Sequence, residues 1–140
     1  MRLSPYLLFN GQCEAAFKLC EKALGGKIEG TMTLGQSPMA KEVPAEWASK
    51  VTHARTIVDG AALMGSDAPP DRYEKPHGFS VSRNIKAPAE TERIFHELEQ
   101  NGKVQMPIQK TFWSARFGML VDQFGIVWMV NCEQAAQQAA

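Results

Sequence analysis

The chain has 140 residues, of which 44% are hydrophobic and 21% are charged, a composition typical of one globular domain rather than of a disordered or membrane protein. Its 15 Lys and Arg residues balance its 15 Asp and Glu residues, so the chain has no excess of basic residues. We therefore expect neither a nucleic-acid partner nor an anionic-membrane partner. The short apolar run at the start is broken by Ser4 and Pro5, which favours neither a signal peptide nor a spanning helix.

The first part of the chain alternates strand, helix and strand signals. A strand is predicted over about 3–9, and a helix over about 13–24 that stops at two consecutive glycines. Asp59 and Gly60 form a pair typical of a tight hairpin turn. Three strands follow the helix, near 27–35, 51–58 and 61–67.

The second part of the chain shows the same order of signals. A strand is predicted over about 78–86 and a helix over about 88–100, with Pro88 suited to the first turn of that helix. Three further strands are predicted near 103–110, 115–122 and 126–132.

Two segments of the chain resemble each other at an offset of 76 residues. Residues 19–28 and 95–104 share Glu, Gly and Lys at matching positions. The same offset aligns 3–9 with 79–85 without a gap. The pattern therefore predicts a duplicated βαβββ unit.

The last hairpins of the two copies match at a shorter offset of 63 residues, with Asp59 on Asp122. The first copy thus carries 13 additional residues, which is the length of the polar, proline-containing segment 35–47. We predict a first module over 1–70 with this loop insertion and a second module over 77–132. The two modules are expected to form one compact domain.

Cysteine usage and the end of the chain give two further expectations. Cys13, Cys20 and Cys132 are odd in number and include no CxxC pair, which favours a reduced, cytoplasmic setting. The low-complexity residues 133–140 predict a flexible tail.

Three motifs carry a family resemblance: "SPYLLFNGQCEAAF" at 4–17, "LMGSDAPP" at 63–70 and "TFWSARFGMLVDQFGIVWMVN" at 111–131. With them the chain resembles the glyoxalase/bleomycin-resistance/dioxygenase group, or vicinal oxygen chelate superfamily. Within that group it resembles the PhnB-like branch, often labelled 3-demethylubiquinone-9 3-methyltransferase. The resemblance implies an α+β fold of two βαβββ modules, whose curved mixed sheets surround a small-molecule cavity, usually in a homodimer.

The resemblance also implies where a metal would bind. In metal-dependent members, a His or Glu of a module's first strand and a Glu of its last strand hold a divalent ion that acts as a Lewis acid. Counted from the turn glycines, that Glu position falls on Met64 in the first module and on Met129 in the second. Thioether sulfur is a poor ligand for hard divalent ions. His53 is the one histidine on a predicted strand, and we expect no bound metal or cofactor.

The sequence contains no motif that supports the methyltransferase label. Enzymes that use S-adenosylmethionine typically place a glycine-rich turn after the first strand of a doubly wound sheet. Here Gly25 and Gly26 end a helix instead of opening one.

A set of side chains is predicted to line the cavity and bind a ligand. Trp113 offers a ring for stacking, although core packing is the alternative. Arg116 could pair with a substrate carboxylate or phosphate, or form an ion pair with Asp122, Asp67 or a dimer partner. The full set comprises Met64, Ser66, Trp113, Arg116 and Met129.

The remaining tryptophans and the methionines have structural alternatives. Trp128 precedes Met129 and is predicted to face the opposite side of its strand, under the helix. The many methionines can line an adaptable apolar pocket or simply fill the core. Trp47 in the insertion is predicted to close over the pocket or to reach a dimer partner.

Acid/base chemistry has three candidates: Asp67, His53 and Tyr6. Asp67 could act as a general base, although hydrogen bonding to its own following turn is the interpretation we favour. Tyr6 could place its hydroxyl in the cavity or be half-buried with that hydroxyl satisfied.

Two hypotheses about function follow. The first is a metal-free protein that binds a small, partly aromatic or amphipathic molecule in a cavity lined by Met and Trp. The alternative is an enzyme of the superfamily, of lyase, dioxygenase or transferase type, using unexpected metal ligands or acid/base chemistry.

Overall fold

The structure, a computed structural model, describes residues 3–42 and 44–133. The chain divides into two compact units, Met1–Glu74 and Lys75–Ala140. Each unit contains one helix and one four-stranded mixed sheet, which confirms the predicted α+β class and the doubled βαβββ plan. Most of the predicted tail, 134–140, lies outside the described residues.

Unit 1 is a sheet with one helix packed on it. The sheet has the strand order β1-β4-β3-β2, in which β1 runs parallel to β4 and the other pairs are antiparallel. The first strand thus closes the unit by pairing with the last. The elements are β1 (Tyr6–Phe9), α1 (Cys13–Leu24), β2 (Lys27–Thr33), β3 (Val51–Val58) and β4 (Ala61–Asp67).

Unit 2 repeats this arrangement. Its strand order is β5-β8-β7-β6, with β5 parallel to β8 and the remaining pairs antiparallel. The elements are β5 (Val81–Ile85), α2 (Pro88–Glu99), β6 (Lys103–Gln109), β7 (Phe117–Val121) and β8 (Val127–Cys132).

Helix α1 forms because its apolar residues recur at helical spacing and its end is marked by glycine. The face with Phe17 and Cys20 is buried, and Phe17 meets Phe9 of β1 edge-to-face at 6.1 Å between ring centroids. Burying each of these rings stabilises the unit by about 1.5–3 kcal/mol. Gly25 adopts φ 73°, a left-handed conformation that terminates the helix.

The matching glycines of the two copies, Gly26 and Gly102, are required for the same steric reason. A Cβ atom at Gly26 would lie under 3.0 Å from the carbonyl oxygen of Ile57, and one at Gly102 would lie even closer to that of Val121. In both units the chain leaving the helix therefore passes against the backbone of the neighbouring strand. This shared contact supports the duplication suggested by the sequence.

The loop insertion 35–47 lies in a segment with three short 3-10 turns: Leu34–Gln36, Ala40–Glu42 and Ala45–Trp47. Trp47 is half-buried there. The strands on either side begin and end close to the predicted positions. Strand β7 begins at Phe117, later than the predicted 115, because the preceding residues form a turn closed by Ser114.

Candidate functional site

Each sheet has one face against the helix of its own unit, and we call the opposite face the open face. In unit 1 a Cβ at Gly65 would touch Phe17 of α1, so Gly65 faces the helix and its neighbours Met64 and Ser66 face away. Phe9 also packs on Phe17, which places Tyr6 and Leu8 on the open face. The open face of unit 1 therefore contains two of the predicted ligand-binding residues.

Strand register places a row of side chains across this face. Tyr6 pairs with Met64, Met64 with Arg55, and Arg55 with Gly30. In the adjacent rows Leu8 pairs with Ser66, and Met32 with His53.

Tyr6 and His53, two of the three predicted acid/base residues, meet on the open face. The Tyr6 hydroxyl lies 3.4 Å from His53 Nδ1, and their ring centroids are 5.9 Å apart. Both side chains are exposed, with 46% of Tyr6 accessible. The pair is therefore accessible to a ligand.

Asp67, the third acid/base candidate, has a structural role, because its carboxylate accepts two backbone hydrogen bonds. Its Oδ1 accepts the backbone N–H of Cys13, and its Oδ2 accepts that of Val51, both at 2.9 Å. The carboxylate thus fixes the start of α1 to the start of β3. The interpretation that Asp67 bonds the turn after it is corrected, because its partners are distant in sequence.

The thiol of Cys13 shares this environment. Burial, and to a lesser extent the charge of Asp67, raises the pKa of Cys13 to about 12. The group is therefore a protonated thiol at neutral pH and a weak nucleophile.

A groove of about 410 Å³ on unit 1 is lined by residues of the paired strands β2 and β3. Its lining includes both charged and apolar side chains. Arg55 Nε lies 3.3 Å from Glu29 Oε1 across the groove wall. Sequence reasoning missed Arg55, although its spacing of two from His53 on one strand was the available signal. The lining residues are Glu29, Gly30, Thr31, Met32, His53 and Arg55.

The open face of unit 2 contains the predicted residue Met129. A Cβ at Gly118 would touch Phe95 of α2, and Gly118 pairs with Val130, so Val130 faces the helix. Met129 therefore faces away, beside Met119 on β7 and Ser82 on β5. Trp128 is buried on the helix side, which confirms the prediction that it faces away from Met129.

Register also shows that Met64 and Met129 are equivalent. Met64 pairs with Tyr6 and Met129 with Ser82, and these partners are separated by the 76-residue offset of the repeat. The position next to the first strand is thus a methionine in both units.

In neither unit does this pair of side chains fit a hard divalent metal ion. A phenol, a hydroxyl and two thioethers supply neither imidazole nor carboxylate. Within residues 3–42 and 44–133, no group of three or more His, Cys, Asp or Glu side chains could hold a metal ion.

Trp113 lies in the loop before β7, in a column of three aromatic rings. Its ring centroid is 4.7 Å from that of Phe112 and 5.3 Å from that of Phe117, both edge-to-face. Trp113 is 47% exposed, whereas Phe117 is buried. The exposed side of the indole is free to meet a ligand ring.

Arg116 is held by helix α2. Its Nε donates to Glu92 Oε1 at 3.1 Å, and its Nη1 donates to the backbone oxygen of Ala115. Within this chain the ion-pair partner is Glu92, not Asp122 or Asp67 as the sequence suggested, and an ion pair with a dimer partner stays a prediction. The guanidinium is thereby drawn to the helix.

Asp122 organises the β7–β8 hairpin from inside. Its Oδ1 accepts the backbone N–H groups of Phe124 and Ile126, and its Oδ2 accepts Nε1–H of Trp128 at 2.8 Å. Burial raises the pKa of this carboxyl, and hydrogen bonds from Trp128, Ile126, Phe124 and Gly125 oppose the rise.

Comparison with known proteins identifies the family. Residues 1–131 match the family model described as 3-demethylubiquinone-9 3-methyltransferase. The chain belongs to this family. Protein YjdN of Escherichia coli (strain K12) is 33% identical over 139 residues, covering 94% of this chain and 95% of that protein.

Two solved structures share the fold of this chain over nearly its whole length. Protein PA1353 from Pseudomonas aeruginosa is 47% identical, with a TM-score of 0.87 over 96% of this chain and 98% of that one. The PhnB protein from Bacillus cereus is 21% identical, with a TM-score of 0.79 over 94% and 99%.

The wider fold is that of the superfamily named from the sequence. A glyoxylase/bleomycin resistance protein/dioxygenase domain from Frankia sp. EAN1pec superposes with a TM-score of 0.60 over 95% of each chain. At 9% identity this likeness concerns the fold alone. Neither α1 nor α2 has the length and apolar character needed to cross a lipid bilayer.

Proposed function

We propose that this PhnB-like protein binds a small, partly aromatic molecule on the open faces of its sheets, without a metal ion. The observation that carries the proposal is the equivalence of Met64 and Met129. Both occupy the position beside the first strand of their unit, where a metal-binding carboxylate is expected in the superfamily. Thioethers at this position favour contact with apolar or aromatic groups.

The surroundings of each methionine suit such a ligand. In unit 1, Tyr6 and Leu8 present exposed apolar surface, and Ser66 adds a hydroxyl. In unit 2, Trp113 offers the accessible indole described above. Arg116 contributes indirectly, because its bonds to Glu92 and Ala115 stabilise the end of the loop that carries Trp113.

The experiment uses nitrobenzene, a neutral aromatic compound that quenches tryptophan fluorescence. We expect quenching that saturates with nitrobenzene concentration and that is lost in Trp113→Phe. Trp47→Phe is the matched control, since Trp47 lies in the insertion, and it should retain saturable quenching. Linear, non-saturating quenching in every variant would refute ligand binding at Trp113.

Independence from metal is tested on the same protein. Elemental analysis should find no stoichiometric Ni, Zn, Mn or Fe, and a chelator should leave the saturable quenching unchanged. One metal ion per chain that disappears in His53→Ala would overturn the metal-free proposal.

We extend the proposal to a homodimer in the cytoplasm. Exposed apolar side chains such as Leu8, Phe112 and Trp113 provide surface that a second copy could cover. The buried free thiols are compatible with a reducing compartment. Light scattering at several concentrations tests the dimer, and a monomeric mass throughout would exclude it.

A second candidate is an enzyme of the superfamily, favoured by the contact between Tyr6 and His53. An imidazole beside a phenol can exchange a proton with a bound substrate. The family description suggests the first assay: methyl transfer from S-adenosylmethionine to 3-demethylubiquinone-9. Turnover that is lost in His53→Asn but retained in His77→Asn would favour this candidate over a binding protein.

A further inference from the structure

The groove lined by β2 and β3 contains a cationic side chain whose hydrogen-bonding capacity is only partly used. Arg55 forms an ion pair with Glu29 through Nε, at 3.3 Å. That nitrogen is shielded from solvent, yet it donates no hydrogen bond to any acceptor in the part of the chain that the structure describes. A guanidinium has five N–H donors in a planar fork that matches the two oxygens of a carboxylate or phosphonate.

His53 adds a second donor to the same groove. Its Nδ1 is 3.4 Å from the Tyr6 hydroxyl. When Tyr6 donates its proton to Nδ1, the proton of the neutral imidazole is on Nε2. Nε2 is then an N–H donor in a groove that also contains Arg55.

Gly30 leaves the space in front of Arg55 open. It is the register partner of Arg55, and a Cβ added to Gly30 would meet nothing within 4 Å. Met32, the register partner of His53, provides an apolar wall that is 47% exposed. The groove thus combines donors for an anion with apolar surface for an organic group.

We propose that this groove binds the oxyanion of a small organic acid, a carboxylate or phosphonate, between Arg55 and His53. The apolar part of the acid lies against Met32 and Tyr6. This inference rests on the proposed binding function and specifies the charge of the ligand in unit 1. Glu29 competes with the ligand for Arg55, so the ion pair sets the affinity.

The test measures calorimetric binding of three probes to the full chain, together with the NMR signals of the His53 ring. Benzoate and phenylphosphonate carry the two oxyanions, and benzamide is their neutral counterpart. We expect at least one anion to bind and to shift the His53 signals, with benzamide inactive. The tighter of the two anions identifies the oxyanion class.

Two substitutions should act in opposite directions. Arg55→Gln should weaken anion binding about tenfold or more, because it removes a charged donor. Glu29→Gln should strengthen it about two- to threefold, since it removes an exposed competing carboxylate. Arg93→Gln is the matched control, because Arg93 forms an ion pair with Glu90 elsewhere on the surface, and it should leave binding unchanged.

Gly30→Leu provides a steric test that does not depend on charge. The open space at Gly30 accepts the side chain, so the melting temperature should be retained while anion binding is lost. Equal weakening by Arg55→Gln and Arg93→Gln, weaker binding in Glu29→Gln, or benzamide as effective as benzoate would overturn the proposal.

These outcomes are separable from those of the general binding proposal. Saturable quenching of Trp113 by nitrobenzene together with no anion binding would refute the oxyanion site and leave the proposed function standing. Failure of both measurements would refute both.

Discussion

The hydrogen bond between Asp122 and Trp128 leads to a quantitative expectation for stability. Both groups are buried, and Trp128 Nε1 donates to Asp122 Oδ2 at 2.8 Å. A buried hydrogen bond to a charged acceptor contributes about 1.5–3 kcal/mol. In a double-mutant cycle of Asp122→Asn and Trp128→Phe, we therefore expect a coupling free energy of about 1.5–3 kcal/mol at neutral pH.

The assay is equilibrium urea unfolding of the four proteins, followed by circular dichroism. The cycle subtracts the free-energy cost of the cavity that Trp128→Phe creates, and it leaves the coupling free energy between the two side chains. Asp59→Asn is the matched control in the other hairpin, because Asp59 is exposed with φ 49°, a conformation that Asn tolerates well. This control should change the free energy of unfolding by less than about 0.5 kcal/mol. A coupling below about 0.5 kcal/mol would refute the assigned role of the bond.

Asp122 and Trp128 also lead to a prediction of how the stability of the protein depends on pH. Because burial raises the pKa of Asp122 in the folded protein, the folded state binds this proton more tightly than the unfolded state. The stability contributed by the group is fully present below its unfolded pKa and is lost as pH rises through the folded pKa. Trp128 opposes the rise, so Trp128→Phe should raise the pKa of Asp122 further, as NMR titration of its carboxyl carbon would measure. An unchanged or lower pKa would contradict this account.

Three further predictions concern backbone contacts and thiols. Gly102→Ala should destabilise the protein by about 1–3 kcal/mol because of overpacking, whereas Gly30→Ala should be nearly neutral in the same urea assay. Asp67→Ala should cost about 1–3 kcal/mol, because the N–H groups at the starts of α1 and β3 lose their acceptor; a change under about 0.5 kcal/mol would show that water replaces it. Cys13 should resist Ellman's reagent at neutral pH until urea unfolds the chain, and rapid labelling of the folded protein would contradict its burial and its raised pKa.

Local sequence signals were sufficient for the elements of the fold. Helix α1 runs from Cys13 to Leu24 as its apolar spacing predicted, with Gly25 in the left-handed conformation. Asp59 and Gly60 both have positive φ, as a tight hairpin requires. These features depend on neighbouring residues alone, which is why a sequence pattern identifies them.

The candidate site was predictable only where alternation along a strand decides orientation. The equivalence of Met64 and Met129 was predictable because each is counted from a turn glycine, whereas their contact with a ligand stays a prediction. The partners of Asp67 and Arg116 were not, since their hydrogen bonds reach residues far along the chain. Distant pairings depend on strand register and helix packing, which a local pattern does not contain.

The pairing of β1 with β4 has a consequence for biosynthesis. Strand β1 is made before the other strands of its unit, but its hydrogen-bonding partner is the last of them. At about 5–20 residues per second, β1 therefore waits several seconds on the ribosome as an unpaired edge that can attract other chains. Asp67 is the last residue of β4 and accepts hydrogen bonds from the starts of both α1 and β3. Once Asp67 is in place, the sheet is complete and the helix is attached to it. A nascent chain stalled before Asp67 should be more prone to aggregation than one stalled after Asp67 has left the ribosomal exit tunnel.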